Sequence, residues 1–291
     1  MPKTNDTIIA DIHKLLNTKE VPSAVDQEAV LDLMGENMKS IIRETIGKVR
    51  DNRKLRLSIV GRDERYLWMK SKYPDAEDAA ITGEKRVMFL YGHLVEEMLL
   101  ALVRLTDHKV TDEQKTVSVA GVTGHMDCKI NGTIVDVKSA SSFGFKKFRD
   151  NKLHLDDPFG YIGQNKAYAF AEGVSKYGWL AMDKVTGALA YLEYDEKDEG
   201  APYYDSIQWN PEERIKKIKK LIASEDAPEE LCALPIPDGK SGNMKLSNKC
   251  MYCVHKFRCY TDLRTFLYST GPRYFTEIVK MPRQLEVPDE F

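Results

Sequence analysis

The chain has 291 residues, of which 42% are hydrophobic and 30% charged, and its formal net charge is −2 at pH 7. This composition is that of a soluble globular protein, and the length allows one large domain or one domain with an appendage. The longest apolar stretch is interrupted by His93, Glu96, Glu97 and Arg104, which argues against a membrane span. The first residues lack the apolar core of a signal peptide, so we expect the cytoplasm.

In chain order, apolar spacing predicts helices in the first 50 residues, over IIADIHKLL and AVLDLMGENMKSIIRETI. A short strand or turn is expected in LRLSIVGRDERYLWMKSKYP, leading into a helix. A long, mostly buried helix follows in GEKRVMFLYGHLVEEMLLALVRL, and then come the strands KTVSVAGVTGHMDCKI and TIVDVKSAS.

The next segment, DDPFGYIGQNKAYAFAEG, has the start and end signals of a helix, with Asp157 as N-cap, Pro158 at the first helical position and Gly173 directly after the last. YGWLAMDKVTGALAYLEYD is expected to form a hairpin, and PEERIKKIKKLIAS a basic surface helix. Strands that alternate with helices predict an α/β fold. Composition shifts to Pro, Gly, Ser and Cys after about residue 222, which divides the chain into N-terminal helices (1–55), an α/β core (56–222) and a small Cys-rich module (223–291).

Asn131-Gly132 is a strong signal for a two-residue hairpin turn. If these two residues form the loop, Cys128 faces Val135 and Asp127 faces Asp136. Two carboxylates directly opposite each other in a sheet repel, so we expect a divalent cation to offset the repulsion. The polar face of this hairpin is expected to carry His125, Asp127, Lys129, Asp136 and Lys138, with His125 across from Lys138, and the apolar face to bury Cys128.

Of the two adjacent acids in the long helix, Glu96 is expected to face the acid pair. Glu97 shares a helical stripe with His93 and Arg104, which predicts solvent exposure. Gly92, one turn before Glu96, is expected to clear space for the hairpin.

Three motifs follow one another in an order seen in PD-(D/E)XK nucleases: G-x-x-x-E at Glu96, D-x(n)-D-x-K at Asp127, Asp136 and Lys138, and Q-x-x-x-Y at Gln164 and Tyr168. Over roughly 56–195 the chain resembles this superfamily, and more narrowly its RecB-type and lambda-exonuclease-like branch, including phage exonucleases. Many RecB-type members have histidine where this chain has Glu96, whereas lambda-type exonucleases have glutamate. The resemblance implies a restriction-endonuclease-like core, a central mixed β-sheet flanked by helices.

The same resemblance assigns a role to each motif residue. The acids Glu96, Asp127 and Asp136, with the backbone carbonyl of Val137, would hold Mg²⁺ or Mn²⁺ through the hard oxygen ligands that these ions prefer. Lys138 would orient the attacking water or stabilise the charge of the transition state. Gln164 and Tyr168 would complete the catalytic residues and contact the DNA backbone.

Contacts to DNA are expected from two basic segments. Near the start, Ser58, Arg62 and Arg65 would receive a terminal phosphate, as a comparable Ser/Arg segment does in lambda-type exonucleases. In SFGFKKFRDNKLH the basic residues are Lys146, Lys147 and Arg149. The phenylalanines among them, Phe143, Phe145 and Phe148, would either stack on bases or fill the core.

Four of the five cysteines are grouped: Cys232, Cys250, Cys253 and Cys259. The last three resemble the C-terminal triplet of iron–sulfur RecB-type nucleases and of CRISPR-adaptation nucleases. Those families take a fourth cysteine from upstream of the core, and Cys232 is the substitute here. The group predicts a [4Fe–4S] cluster, with Zn²⁺ as the alternative.

These features together predict a metal-dependent DNA exonuclease, active in phage DNA recombination or degradation and located in the host cytoplasm if a phage encodes it. Its partners would be DNA and a single-strand annealing or recombination protein, with no membrane. A structure-specific or single-strand endonuclease of the same fold is the second hypothesis. The third is an inactive DNA-binding module stabilised by its metal, against which the intact acids and Lys138 argue.

Overall fold

The computed structural model describes residues 3–47, 54–76 and 81–288. The chain divides into two compact units, one formed by 1–51, 55–61 and 82–217 and the other by 52–54, 62–81 and 218–291. Residues 62–81 thus belong with the C-terminal part of the chain, a grouping that the division into three sequence regions did not include.

The helices include α1 (Ile8–Thr18), α2 (Gln27–Gly47), α3 (Glu64–Lys72), α4 (Gly83–Leu105), α5 (Ser142–Arg149), α6 (Tyr161–Glu172), α7 (Pro211–Ala223), α8 (Asn248–Met251) and α9 (Lys256–Cys259). The strands include β1 (Val110–Thr111), β2 (Thr116–Val119), β3 (Val122–His125), β4 (Cys128–Ile130), β5 (Thr133–Ala140), β6 (Lys176–Asp183), β7 (Leu189–Asp195), β8 (Ile236–Pro237), β9 (Met244–Lys245), β10 (Arg264–Tyr268), β11 (Gly271–Glu277) and β12 (Leu285–Val287).

A mixed sheet with the strand order β1-β4-β5-β6-β7 forms the centre of the first unit. Strands β5 and β6 pair in parallel, and the other neighbours pair antiparallel. A parallel pair requires a crossover connection, and here the crossover contains α5 and α6. The predicted α/β class, with a mixed central sheet flanked by helices, is confirmed.

The side chains of β5 point alternately to the two faces of the sheet, apolar on one face and polar on the other. Val135 and Val137 point into an apolar core with α1 and α4, where Val95, Leu99 and Val103 are almost completely buried. Asp136 and Lys138, each next to one of these valines, point to the opposite face, because successive side chains of a strand alternate. The apolar core on one face therefore holds the strand while its polar residues face α6.

The segment KTVSVAGVTGHMDCKI does not form the single strand that the sequence suggested. Ala120 and Gly121 both have positive φ, 46° and 73°, and make a tight turn that pairs β2 with β3 in a hairpin of their own. A two-residue turn with positive φ at both positions matches the twist of antiparallel strands. Strand β4 is a separate, short element after this hairpin.

The start of α6 also differs from the prediction. The helix begins at Tyr161, and Asp157 caps it from a distance by accepting hydrogen bonds from the backbone N–H groups of Tyr161 and Ile162, at 3.0 and 2.8 Å. Pro158 therefore lies in the preceding turn rather than at the first helical position. The predicted stop at Gly173 is confirmed, since this residue is left-handed with φ 67°.

The helix α4 is buried only in its second half. Val87, Met88 and Phe89 are each more than half exposed, whereas the buried residues begin at Val95. The expectation of a mostly buried helix is therefore wrong for its first three turns. The predicted helices α1, α2 and α3, the β6–β7 hairpin and the basic helix α7 are present.

The second unit contains an antiparallel sheet with the order β12-β10-β11-β9-β8, which the sequence did not suggest. A small apolar core forms around Leu246, Cys250, Leu263 and Tyr274. The indole N–H of Trp68 in α3 donates to the carbonyl of Ser224 at 3.1 Å, which ties α3 to the C-terminal part of the unit.

Candidate active site and cysteine cavity

The hairpin between β4 and β5 has the register that its turn predicts. Asn131 and Gly132 have φ values of 50° and 90°, and Cys128 pairs with Val135. Cys128 is completely buried in the core, as expected. Asp127 precedes β4, and its carboxyl group lies within hydrogen-bonding contact of that of Asp136. The two acids are thus neighbours, as the register requires.

Asp136 is the most enclosed of the acids, with 1% of its surface exposed. Its Oδ1 accepts a hydrogen bond from Nε2 of Gln164 at 2.7 Å, and its Oδ2 lies 2.5 Å from Nζ of Lys138. Asp127 Oδ2 accepts from the backbone N–H of Val137 at 2.9 Å. These contacts hold both carboxyl groups in fixed positions beside the lysine.

Burial and mutual repulsion oppose the charged form of both acids. Burial raises the pKa of Asp136, the charge of Asp127 raises it further, and Lys138 offsets only part of the effect. Burial also raises the pKa of Asp127, and Glu96 adds to the rise. For Lys138, burial alone would lower the pKa, but Asp136 and Asp127 outweigh it and keep the ammonium charged. The site therefore concentrates more negative charge than its single lysine balances.

Glu96 lies near the acid pair, as expected, but Glu97 does not have the solvent exposure that was expected of it. Glu96 is close enough to Asp127 to affect its pKa, and its Oε1 accepts from Nε2 of Gln114 at 3.0 Å. Glu97 is not in solvent: it is 6% exposed and accepts from Nδ2 of Asn37 at 3.1 Å, with Arg104 at 3.6 Å. The prediction for Glu97 is wrong because α2 and Arg104 cover its side of α4.

One further expectation about this hairpin is wrong, and a second, that Gly92 clears space, does not hold for a methyl group. His125 does not lie across from Lys138, because it belongs to β3, where it pairs with Thr116 and its Nδ1 lies 3.0 Å from the threonine hydroxyl. Gly92 does face β5, but a Cβ at this position would meet only Oγ of Ser139, at 3.6 Å, an ordinary contact. A methyl group would therefore fit at Gly92.

The helix α6 brings Gln164 and Tyr168 to the acids. Burial raises the pKa of the Tyr168 phenol, and the charges of Asp136 and Asp127 raise it further, so this hydroxyl stays protonated. Gly124 makes room for the ring, since a Cβ there would come within 2.8 Å of Tyr168 Cε1. The structure thus places both predicted α6 residues beside the acid pair.

Two residues of this region were given no role from the sequence, although helical spacing placed one of them, Tyr161, on the same face as Gln164 and Tyr168. Tyr161 stands at the start of α6, with its ring centroid 4.8 Å from Nζ of Lys138. Its position three residues before Gln164 was the available signal, since i and i+3 share a helical face. Gln114, which holds Glu96, lies in the loop before β2, and no sequence pattern marks it.

A divalent cation suits the donor set of this site, because Asp127 adjoins Asp136 and Glu96 is near enough to Asp127 to raise its pKa, so the repulsion among these acids favours a positive charge. Glu96, Asp127 and Asp136 are the residues that would hold it. In the parts of the chain that the structure describes, no three His, Cys, Asp or Glu side chains stand in a ready metal-binding arrangement. Val137 supplies its N–H to Asp127, and the role of its carbonyl remains a prediction.

The predicted DNA contacts of the first unit have mixed surroundings. Lys146 is exposed, Lys147 pairs with Asp156 at 2.6 Å, and Arg149 pairs with Asp150 at 2.7 Å. Ser58 is half-buried in a 3₁₀ turn, Leu57–Ile59. Of the three phenylalanines, Phe145 and Phe148 fill the core and Phe143 is 66% exposed, so stacking on bases remains a prediction for Phe143 alone.

Arg62 and Arg65 belong to the second unit and have partners there. The guanidinium of Arg62 lies 3.8 Å from the ring centroid of Tyr66, and Arg65 donates to the carbonyl of Pro228. Their role in phosphate binding remains a prediction.

The four grouped cysteines line one pocket in the second unit, together with Arg62, Lys249 and Lys256. Burial raises the pKa of Cys232 to about 12 and that of Cys253 to about 11, and neighbouring cysteines contribute to both shifts. The backbone N–H groups of Tyr66 and His255 donate to the sulfur atoms of Cys232 and Cys253. The four cysteines thus line one pocket, but among the described residues they do not form a ready metal-binding group, and a metal bound there would favour the thiolate form.

Comparisons with known proteins add little to this geometry. No family model matches the chain, and no curated protein matches it. Among solved structures, the chain is similar to the crystal structure of SSO0001, with 13% identity, a TM-score of 0.44 and coverage of 78% of this chain and 96% of that chain. A similarity of this size supports no conclusion about fold or function. None of the described helices has the length and apolar character needed to cross a membrane.

Proposed function

We propose that the chain is a Mg²⁺- or Mn²⁺-dependent deoxyribonuclease with a restriction-endonuclease-like core, and that it acts as an exonuclease. One observation carries the proposal: Asp127, Asp136 and Lys138 meet on one face of the β4–β5 hairpin, with Gln164 at 2.7 Å from Asp136. A buried acid, Asp136, that adjoins a second, half-buried acid and a lysine is expensive to maintain in a purely structural element. These residues suit a site that binds a cation and a phosphodiester.

Each residue has a task in phosphodiester hydrolysis. A cation bound at Glu96, Asp127 and Asp136 would neutralise phosphate charge and lower the pKa of the attacking water. Lys138, held in the charged form by the two aspartates, stabilises the negative charge that develops on the phosphoryl oxygens. Gln164 fixes the orientation of Asp136, and the Tyr168 hydroxyl offers a proton donor beside the phosphate.

The decisive experiment measures digestion of duplex DNA labelled at either the 5′ or the 3′ end, with and without Mg²⁺. Progressive release of nucleotides from one end supports an exonuclease. Cleavage of a circular single strand would instead support the endonuclease hypothesis. DNA binding without any cleavage in Mg²⁺ or Mn²⁺ would leave the inactive binding module. If an exonuclease is found, coupling to a single-strand annealing or recombination protein is the next partner to test.

We further propose that Cys232, Cys250, Cys253 and Cys259 hold a [4Fe–4S] cluster, with Zn²⁺ as the alternative. The four thiols line one cavity, and two of them accept backbone N–H bonds of the kind that tune cluster sulfurs. Anaerobically purified protein should be brown, with iron and sulfide bound. Colourless protein with one equivalent of zinc would decide for the alternative, and metal-free stable protein would reject both.

A further inference from the structure

An exposed aromatic ring stands next to the candidate active site. The ring of Tyr161, which lies over the ammonium group of Lys138, stacks on Phe159 with 5.5 Å between centroids and 29° between planes. Phe159 is 48% exposed. An apolar ring that is half in water is therefore separated from the catalytic lysine by one other ring.

The position of Phe159 is fixed rather than accidental. It lies in the turn between Asp157, which caps α6 with two hydrogen bonds, and Gly160, whose φ of 75° ends the turn. On the inner side, Tyr161 contacts the buried Phe148 with 6.2 Å between centroids. A ring held in this way loses little conformational freedom when a ligand stacks on it.

We propose that Phe159 is a stacking platform for an unpaired nucleobase next to the scissile phosphate. This inference rests on the proposed nuclease function, because it places the phosphate at Lys138 and the acid pair. Stacking on an aromatic ring is the recurring way in which proteins hold single-stranded bases, and it is tolerant of sequence. In the interior of a duplex both faces of a base are covered by its neighbours, so the platform accepts a base only at an end or in a single strand. Phe159 thus selects a frayed or single-stranded end.

The test uses a duplex with a short unpaired tail that carries the fluorescent base 2-aminopurine near its end. Binding is measured in Ca²⁺, and cleavage in Mg²⁺ is compared for this tail and for one with abasic positions. We expect the wild-type protein to quench the fluorescence, Phe159→Ala to lose the quenching and Phe159→Trp to restore it. Phe159→Ala should slow cleavage of the tail with bases by roughly 10-fold and affect the abasic tail little.

Phe170→Ala is the matched control, because Phe170 is 42% exposed and lies near the other end of α6. The platform is rejected if Phe159→Ala keeps the wild-type quenching, or if it slows both tails equally. If the protein quenches through Phe159 but never cleaves, the nuclease function fails and the platform stands. If it cleaves without quenching that depends on Phe159, the nuclease stands and the platform fails.

Discussion

The two candidate metal sites are built in opposite ways. In the first unit, a tight turn and a strand register bring Asp127 and Asp136 together, and side-chain and backbone hydrogen bonds hold both in place. In the second unit, Cys250 and Cys259 lie in two helices of four residues each, whereas Cys232 and Cys253 lie in irregular segments. The acids are ordered by the fold itself, whereas we expect the thiols to be ordered by the metal that they bind. Substitutions at the acid site should therefore impair catalysis, whereas substitutions at the cysteine site should impair metal binding and stability.

The largest expected effect is on catalysis in the first unit. Lys138→Ala should lower the cleavage rate by roughly 1000-fold or more while DNA binding stays within a few-fold, because the lysine acts on the transition state. Single-turnover cleavage and a filter-binding assay measure the two quantities. Lys240→Ala, an exposed lysine of the second unit, is the control. Robust cleavage by the Lys138 variant would remove the proposed site.

The next comparison separates the two adjacent glutamates. Glu96→Gln should lose nearly all nuclease activity, since it removes a charge beside Asp127. Glu97→Gln should keep most of the activity but lower the free energy of unfolding by about 1–3 kcal/mol, because Arg104 is left with less compensation in a buried position. Activity assays and urea denaturation test both variants. Activity lost in the Glu97 variant and kept in the Glu96 variant would show that the metal lies on the other side of α4.

Substitution of a cysteine in the second unit should lower the stability of the protein rather than its catalytic rate. Cys253→Ser should lose most of the bound metal and lower the melting temperature by several degrees, whereas DNA cleavage by the protein that remains folded should persist. Cys128→Ser is the matched control, because Cys128 is a buried thiol of the acid hairpin and should retain the metal. Metal analysis and calorimetry provide the readouts. Full metal content in the Cys253 variant would contradict the proposed ligand set.

The smallest effect concerns pH. Asp127 and Asp136 have pKa values raised to about 6 and about 7, so the metal-free folded state binds more protons than the unfolded state above the ordinary pKa of about 4. The contribution of this pair to the free energy of unfolding is therefore full at low pH and is lost as the pH rises to about 7. Mg²⁺ affinity should rise over the same interval, because the ion binds the deprotonated acids.

Asp136→Asn should accordingly stabilise the metal-free protein at pH 8 by about 1 kcal/mol or more while abolishing Mg²⁺ stabilisation. Melting temperatures across the pH range, with and without Mg²⁺, measure this. Asp226→Asn, an exposed acid of the second unit, should change neither quantity. A destabilised Asp136 variant would show that the acid is needed for folding rather than for a ligand.

The parts of the structure that could be predicted depend on local chemistry. The positive φ values of Asn131 and Gly132 fix the register of the acid hairpin, and helical spacing puts Gln164 and Tyr168 on one face. The position of Glu97 could not be predicted, because its partner Asn37 is 60 residues away in the sequence. The second sheet was missed for a similar reason, since three of its strands have only two or three residues and two of its four pairings join strands that are not consecutive in the sequence.

The first helix of the chain is built into the acid hairpin. Ile8 and Ile12 are completely buried against the sheet, and Asp11 lies 2.9 Å from the buried ring of His108, whose other nitrogen is 2.8 Å from the turn residue Asn131. A helix packed in this way cannot be replaced by the corresponding helix of a relative unless the acid hairpin is replaced with it. Recombination between relatives that replaced only the first twenty residues would place an unmatched helix on the turn that sets the acids. We therefore expect crossovers that preserve function to leave this helix and the hairpin from the same parent, which a library of chimaeric genes selected for folding would reveal.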